Sequence, residues 1–192
     1  LMAALDAQGV AGNTLVIFTS DNGGTDEATT NVPLRESKSW VYEGGIRVPQ
    51  IVRWPGRTAP GSVCEEPVYG ADIYPTILAA AGAAPPAYPI DGVDLAPLWS
   101  GGTLGTRALT WYYPHYSASQ QPGAAFRLGD EKYVRFYDPP REELYDLAAD
   151  PGETRNLAAE RPDRLITLRN ALDGYLIAVD ARMHRPNPAF RE

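Results

Sequence analysis

The chain has 192 residues, 44% of them hydrophobic, which is enough apolar material for one domain or part of a larger one. Its formal net charge is −7 and no run of Lys or Arg interrupts the acidic balance, so nucleic acid is not an expected partner. No apolar stretch reaches the roughly 18 residues that a membrane-spanning helix needs. The single cysteine, Cys64, excludes an internal disulfide.

The first segments predict a helix followed by a buried strand. Residues 1–10 are typical of the end of an amphipathic helix that stops at Gly9, and they do not resemble a natural start, so we expect a truncated sequence. The apolar run over 14–19 predicts a central parallel strand that is covered on both faces. The polar stretch 20–24 follows it at once. Ligands gather at the carboxyl ends of such strands, so this stretch is a candidate binding segment.

The middle of the chain predicts a long loop, a second strand and a helix. Residues 25–45 indicate a loop with a short helical piece, and 48–54 is a second apolar strand bounded by prolines. A helix is expected to begin with Asp72 as its N-cap and to end at Gly82. A Pro-rich connection over 85–97 follows.

The last third of the chain has a different character. Four short segments rich in Tyr, Phe and Val are separated by turn residues, which predicts an antiparallel sheet. Leucines at helical spacing predict a long helix over 163–183, and the tail over 185–192 is expected to fray. The four predicted strand segments are 108–113, 124–128, 131–137 and 142–147.

Asp21 and Asn22 place a carboxylate beside an amide directly after the first strand. Their oxygens are hard ligands that suit Ca²⁺ or Mg²⁺. Two ligands do not hold a metal alone, so others must come from elsewhere. On these residues alone, an Asx turn that ends a strand is the simpler interpretation.

A second candidate segment, 34–49, contains Lys38. A lysine near a metal can bind one oxygen of a tetrahedral anion as a point charge. The glycine pair 44–45 allows a tight turn and a close approach of neighbouring groups, and Glu43 and Arg47 are spaced to form an ion pair. Taken alone, this stretch would be interpreted as a solvated charged loop.

Taken together, the motifs resemble the formylglycine-dependent sulfatases over roughly residues 10–180, in order and in spacing. The resemblance implies an alkaline-phosphatase-like α/β sandwich, represented by its later strands, with a small C-terminal antiparallel sheet plus helix. The implied divisions are the end of the α/β domain over 1–106, the antiparallel subdomain with its packing helix over 107–184, and a tail over 185–192. The matching stretches are 19–24, 34–38, 43–49, 72–78 with Gly82, 91–95, 143–147, 150–154 and 156–157.

The resemblance also implies roles for single residues. Asp21 and Asn22 fall on the family's calcium ligands, with Mg²⁺ the less favoured ion. Lys38 falls on the lysine that contacts the sulfate ester, and it is therefore both the catalytic and a substrate-binding candidate. The motif over 43–47 is expected to support the lysine rather than to react.

The family's nucleophile is missing from these residues. It is a formylglycine made from Cys or Ser in a Cys/Ser-x-Pro/Ala-x-Arg motif, whose geminal diol attacks sulfur. No such motif occurs here, and Cys64 lies in a different context. We therefore expect the formylglycine upstream, in a missing N-terminal half of the same polypeptide. Alone, the chain is expected to be inactive and partly unfolded or aggregated.

His115 is a further substrate-binding candidate, because family members often have a similar Pro-His-Tyr near the pocket. Its imidazole could bind a sugar hydroxyl or sulfate, but a histidine that only ends a strand explains the pattern equally well. The implied ligand is a sulfate-ester small molecule or a sulfated carbohydrate. Two alternatives stay open: a phosphomonoesterase or phosphonate monoester hydrolase of the same superfamily, and a non-catalytic truncated product. For the family, a periplasmic or secreted location is more common than a cytoplasmic one.

Overall fold

The computed structural model describes residues 1–117 and 121–183, which form two compact units. His184 and the predicted tail lie outside the described residues. The division of the chain at residue 106 stays a prediction for the whole protein. The first unit consists of Leu1–Asp21 and Pro49–Arg107, and the second of Asn22–Val48 with the described residues from Ala108 onward.

Five helices and six strands are found in the described ranges. Short 3-10 turns lie at Ala11–Asn13 and Gly70–Asp72. None of the helices in these ranges combines the length and the apolar character that crossing a membrane requires. In chain order the elements are α1 (Met2–Ala7), β1 (Val16–Thr19), α2 (Glu43–Ile46), β2 (Gln50–Arg53), α3 (Ile73–Ala80), α4 (Ala96–Trp99), β3 (Ala108–Tyr113), β4 (Gly123–Leu128), β5 (Glu131–Tyr137), β6 (Pro140–Asp146) and α5 (Pro162–Ala178).

The first unit contains a two-stranded sheet in which β1 and β2 run antiparallel. Both predicted strands are present, but the parallel neighbour expected for β1 is not found among the described residues. The apolar run predicted burial on two faces, but Phe18 of β1 is 61% exposed, and an apolar pattern carries no information about the direction of the adjoining strand. Cys64, in the same unit, is free and exposed.

Asp72 stands at the N-terminus of α3 as expected, but its carboxylate makes no capping hydrogen bond to that helix. It accepts hydrogen bonds from the N–H groups of Tyr69 and Val93, both at 3.0 Å, and forms a two-pronged ion pair with Arg107. The capping prediction is therefore wrong in its partner. Asp72 instead connects three segments of the first unit. The hydrogen bonds that the Arg107 guanidinium donates to the Asp72 carboxylate raise the pKa of Arg107.

The second unit is built on a four-stranded antiparallel meander in the order β3-β4-β5-β6, which confirms the four predicted segments. Helix α5 covers one face, and its predicted leucines are buried there, whereas Val179 lies beyond the helix and is exposed. The core on this side contains Phe126, Tyr133, Leu144, Leu165, Leu168, Leu172 and Leu176.

The other face of the meander carries residues 22–48, which we call the lysine loop. Val41 and Tyr42 of this loop are buried against side chains of β4, β5 and β6. The predicted short helical piece is α2, and it forms part of this contact layer. The sheet therefore supports the segment that contains Lys38. The sheet residues of this core are Ala125, Val134, Phe136 and Tyr145, joined by Leu147.

Candidate active site

Lys38 lies in an exposed part of the lysine loop, between two residues with left-handed backbone conformations. Glu36 has φ of 60° and Ser39 has φ of 79°. Such conformations cost about 1–3 kcal/mol for a residue other than glycine and persist only where surrounding contacts impose them. The backbone on both sides of Lys38 is therefore held by its environment.

Three glycines bring backbone segments of the loop into direct contact. A Cβ atom on Gly23 would lie 1.8 Å from the carbonyl oxygen of Gly44, and one on Gly44 would lie 2.0 Å from that of Glu36. On Gly45 it would lie 2.1 Å from the carbonyl oxygen of Trp40. Only glycine fits at these three positions without a shift of backbone. The close approach predicted at the glycine pair is thereby confirmed.

Backbone hydrogen bonds join the segment after the Asp-Asn pair to Lys38. The N–H of Gly23 donates to the carbonyl of Gly45 at 2.9 Å, and the N–H of Lys38 donates to the carbonyl of Gly24 at 3.0 Å. The Asn31 side chain both accepts from and donates to the Gly24 backbone, each at 3.0 Å. The glycines that follow Asn22 are therefore connected to the backbone of Lys38 by hydrogen bonds within the lysine loop.

Asp21 and Asn22 lie in a bend directly after β1. Asp21 is exposed and its carboxylate accepts a long hydrogen bond of 3.5 Å from the Ser20 hydroxyl, while Asn22 is half-buried. Within residues 1–117 and 121–183, no three His, Cys, Asp or Glu side chains are grouped to hold a metal. The pair supplies the hard oxygen donors that Ca²⁺ prefers but only part of the six to eight that it takes.

One anchor of the lysine loop is a polar aromatic cluster. The Arg35 guanidinium lies 3.9 Å from the centre of the Tyr42 ring and donates to the Tyr145 hydroxyl at 2.9 Å. The hydroxyls of Tyr42 and Tyr145 both donate to Oε2 of Glu143, at 2.7 and 2.9 Å. Burial, followed by the Glu143 carboxylate, raises the pKa of Tyr42, which keeps its hydroxyl a hydrogen-bond donor.

A second anchor is a buried ion cluster, formed by Lys132, Glu43 and Glu153. Nζ of Lys132 lies 2.8 Å from Oε1 of Glu43 and 2.9 Å from Oε1 of Glu153, and all three side chains are almost fully buried. Oε2 of Glu153 accepts a hydrogen bond of 2.6 Å from the N–H of Glu43. Burial raises the pKa of Glu153 despite the opposing effect of Lys132. The predicted Glu43–Arg47 pair is present at 3.9 Å, and Arg127 lies equally far from Glu43.

His115 is exposed beyond the end of β3. Its ring centre lies 4.0 Å from that of Tyr113, with the planes tilted by 36°. Tyr113 packs on the apolar cluster that contains Val41, as does Trp40, two residues after Lys38. The substrate-binding role of His115 stays a prediction.

The sequence reading missed Lys132 and Glu153. A signal was available for the lysine. Lys132, Val134 and Phe136 stand two residues apart in β5, so their side chains point to the same buried face. Glu153 lies in a run that was matched only as a motif. Asp150 accepts hydrogen bonds from the N–H groups of Thr154 and the next residue, which closes a turn around Glu153.

Comparison with known proteins identifies the class. The family model for the C-terminal part of N-sulphoglucosamine sulphohydrolase matches residues 36–177, and the chain belongs to the sulfatase family. A sulfatase of Formosa agariphila is 37% identical over 91% of this chain, and arylsulfatase A of Homo sapiens is 36% identical over 82%. The chain spans only 35% and 36% of the length of these two relatives.

Solved structures share the fold. One, solved in complex with its substrate D-glucosamine-2-N,6-O-disulfate, matches 92% of this chain and 36% of its own with a TM-score of 0.76 and 26% identity. The phosphonate monoester hydrolase of Agrobacterium radiobacter matches 93% of this chain and 37% of its own, with a TM-score of 0.68 and 29% identity. The alkaline-phosphatase-like fold class is therefore confirmed.

Proposed function

We propose that the complete protein hydrolyses a sulfate monoester to inorganic sulfate and an alcohol or phenol. In this proposal the chain supplies Lys38 for the sulfate and Asp21 and Asn22 for calcium. The observation that supports it most is the backbone hydrogen bond that joins Lys38 to Gly24, two residues after Asn22, in a member of the sulfatase family.

Lys38 has the properties of an anion-binding residue. Its side chain is exposed, so the ammonium is available to a sulfate oxygen as a point charge. Its backbone is fixed by the Gly24 hydrogen bond and by the left-handed residues on either side. A positive charge held in place before the reaction stabilises charge on sulfate oxygens with little reorganisation.

Asp21 and Asn22 would contribute a carboxylate and an amide oxygen to a calcium ion. When bound, the ion would neutralise charge on the sulfate oxygens, and a formylglycine from outside these 192 residues would supply the nucleophile. The remaining calcium ligands would also come from outside these residues. His115, beside Tyr113, would contact a hydroxyl or sulfate group of a sulfated carbohydrate.

The first test replaces Lys38 in the complete protein, produced with a formylglycine-generating enzyme. Lys38→Met should lower kcat/KM for an aryl sulfate by about 10²-fold, the usual effect of removing one oxyanion-stabilising group. Arg155→Met is the matched control, because Arg155 is also an exposed cation of the second unit and, within the described residues, forms its ion pair with the exposed Glu160. Equal activity of both variants would contradict the role proposed for Lys38.

The metal role is tested separately. Asp21→Asn should raise the calcium concentration needed to restore activity after chelation, because a carboxylate ligand is lost while the shape is kept. Asp6→Asn removes another exposed carboxylate, on α1, and should leave the calcium requirement unchanged. An Asp21→Asn titration that coincides with the unmodified protein would contradict the assignment.

A second candidate is hydrolysis of phosphonate monoesters, supported by the fold shared with the Agrobacterium radiobacter enzyme. Its discriminator is the relative rate on matched sulfate and phosphonate esters. A non-catalytic product would bind inorganic sulfate through Lys38 but turn over neither ester.

A further inference from the structure

We propose that Lys132, held between Glu43 and Glu153, is a positioning residue that sets where Lys38 meets the sulfate group. The inference rests on the proposed function and adds to it a residue 94 positions away from Lys38 in the chain. The buried ion cluster touches no substrate in this scheme. It acts through the backbone of the lysine loop.

The connection runs through adjacent hydrogen bonds. Glu43, paired with Lys132, donates its N–H to Glu153, which fixes the first residue of α2 on the sheet. The following residue, Gly44, donates its N–H to the carbonyl of Arg35 at 2.8 Å. The carbonyl of the next residue, Gly45, accepts the N–H of Gly23, and the carbonyl of Gly24 accepts the N–H of Lys38. Lys132 is thus connected to Lys38 through buried ion pairs and through hydrogen bonds of the loop backbone.

The charges argue for a geometric role. Lys132 is 0% exposed and lies between two carboxylates, with Arg127 as a more distant cation 3.9 Å from Glu43. Replacing a whole buried ion cluster by apolar side chains often costs little stability, so such a cluster need not be there for stability alone. Without the lysine, however, two carboxylates would share one buried space and would move apart or take up a proton. A shift of Glu43, the first residue of α2, would shift the backbone of the lysine loop.

The structure offers a matched comparison on the same strand. Arg135 of β5 points to the opposite face and forms an ion pair of 2.6 Å with Asp173 of α5. The Arg135 side chain is 17% exposed and that of Asp173 is 44% exposed, so removal of Arg135 breaks a partly buried pair, but on the side away from the lysine loop. A general loss of stability should follow from both changes, and misplacement of Lys38 only from the loss of Lys132.

The experiment compares Lys132→Met with Arg135→Met in the complete protein, below the melting temperature of both. For Lys132→Met we expect KM for an aryl sulfate and Ki for inorganic sulfate to rise about tenfold or more, since small misplacements of binding groups have large effects. For Arg135→Met both constants should stay within about twofold. A lower active fraction alone would reduce the maximal rate and leave KM and Ki unchanged, so unchanged constants in Lys132→Met would overturn the proposal.

A second variant and a second measurement test the proposal if the first variant does not fold or if no activity is found. If Lys132→Met does not fold, Lys132→Gln replaces it, because the amide can still donate a hydrogen bond to one of the two carboxylates while the positive charge between them is lost; the same rise in Ki is expected. Amide hydrogen exchange of residues 22–48 gives a readout that needs no turnover. Faster exchange there in Lys132→Met than in Arg135→Met supports the positioning role even if the protein hydrolyses no sulfate ester, and equal exchange contradicts it.

Discussion

Gly44 shows how a missing side chain shapes the surroundings of Lys38. The carbonyl oxygens of Arg35 and Glu36 would lie 2.3 and 2.0 Å from a Cβ atom at this position. Both are backbone atoms, which cannot rotate away as the end of a flexible side chain can. The loop therefore has to open if the glycine is replaced.

Gly44→Ala should lower the free energy of unfolding of the complete protein by about 1–3 kcal/mol or more, the cost of overpacking, and should raise KM for the sulfate ester. Gly174→Ala is the control, since Gly174 is a helical residue of α5 with open space at its Cβ position. That change should raise the free energy of unfolding by about 0.5–1 kcal/mol. Chemical denaturation measures both. Equal effects would contradict the close packing at Gly44.

Single residues also mark the limit of what the sequence could predict. The ion pair between Glu43 and Arg47 followed from their spacing along a helical turn. The stronger partner of Glu43 is Lys132, which becomes its neighbour only when β5 is laid against the loop. Such long-range pairs have no local sequence pattern. The position of Lys132 on the same strand face as Val134 and Phe136 indicated that it is buried, but it did not indicate which residue it pairs with.

At the scale of elements, α5 covers the meander through one row of leucines. Leu172 is fully buried in this row, whereas Ile177 on the same helix is 79% exposed. The long helix and its buried face were readable from the sequence because helical periodicity is a local property. The strands of the meander were readable for the same reason, since each is short and separated from the next by turn residues.

Leu172→Ala should lower the free energy of unfolding by about 2–5 kcal/mol, because it removes buried methyl groups and leaves a cavity. Ile177→Ala should change it by no more than about 0.5 kcal/mol, as is usual for exposed sites. Thermal and urea unfolding of the complete protein would provide both values. A loss for Ile177→Ala as large as that for Leu172→Ala would show that α5 does not pack as described.

Two elements of the first unit were misjudged, for reasons that differ. The direction of the strand beside β1 depends on a chain segment that the local pattern does not identify. Asp72 was placed correctly at the start of α3, but Arg107 and two backbone N–H groups compete for its carboxylate. A capping hydrogen bond stabilises a helix by about 1 kcal/mol, and charge-assisted hydrogen bonds from a side chain distant in sequence outweigh it.

At the scale of the whole molecule, the first unit presents apolar surface. Phe18 and Ile51 are cross-strand partners in the β1–β2 sheet, and their side chains are 61% and 62% exposed. The unit also contains a cavity of about 530 Å³. Exposed apolar strands favour association with other chains. The cavity is lined by Asn13, Leu15, Ile17, Thr19, Trp54, Ile73, Ile77, Ala80 and Ala81.

We expect the 192-residue chain, produced alone, to be partly unfolded or aggregated. Replacing Phe18 and Ile51 together by Thr should reduce its aggregation, as followed by light scattering, because it removes the apolar pair from the sheet face. The control replaces Ile166 and Ile177, which are exposed on α5, in the same way and should have a smaller effect. A soluble monomer of the unmodified chain with a cooperative melt would contradict this expectation.

The most direct measurement compares kcat/KM of the complete protein on an aryl sulfate and on the matched aryl phosphonate monoester, each with unmodified Lys38 and with Lys38→Met. We expect the sulfate ester to be preferred and the preference to fall when the lysine is lost. A preference for the phosphonate ester, or a sulfate rate indifferent to Lys38, would leave the fold in place and contradict the proposed function.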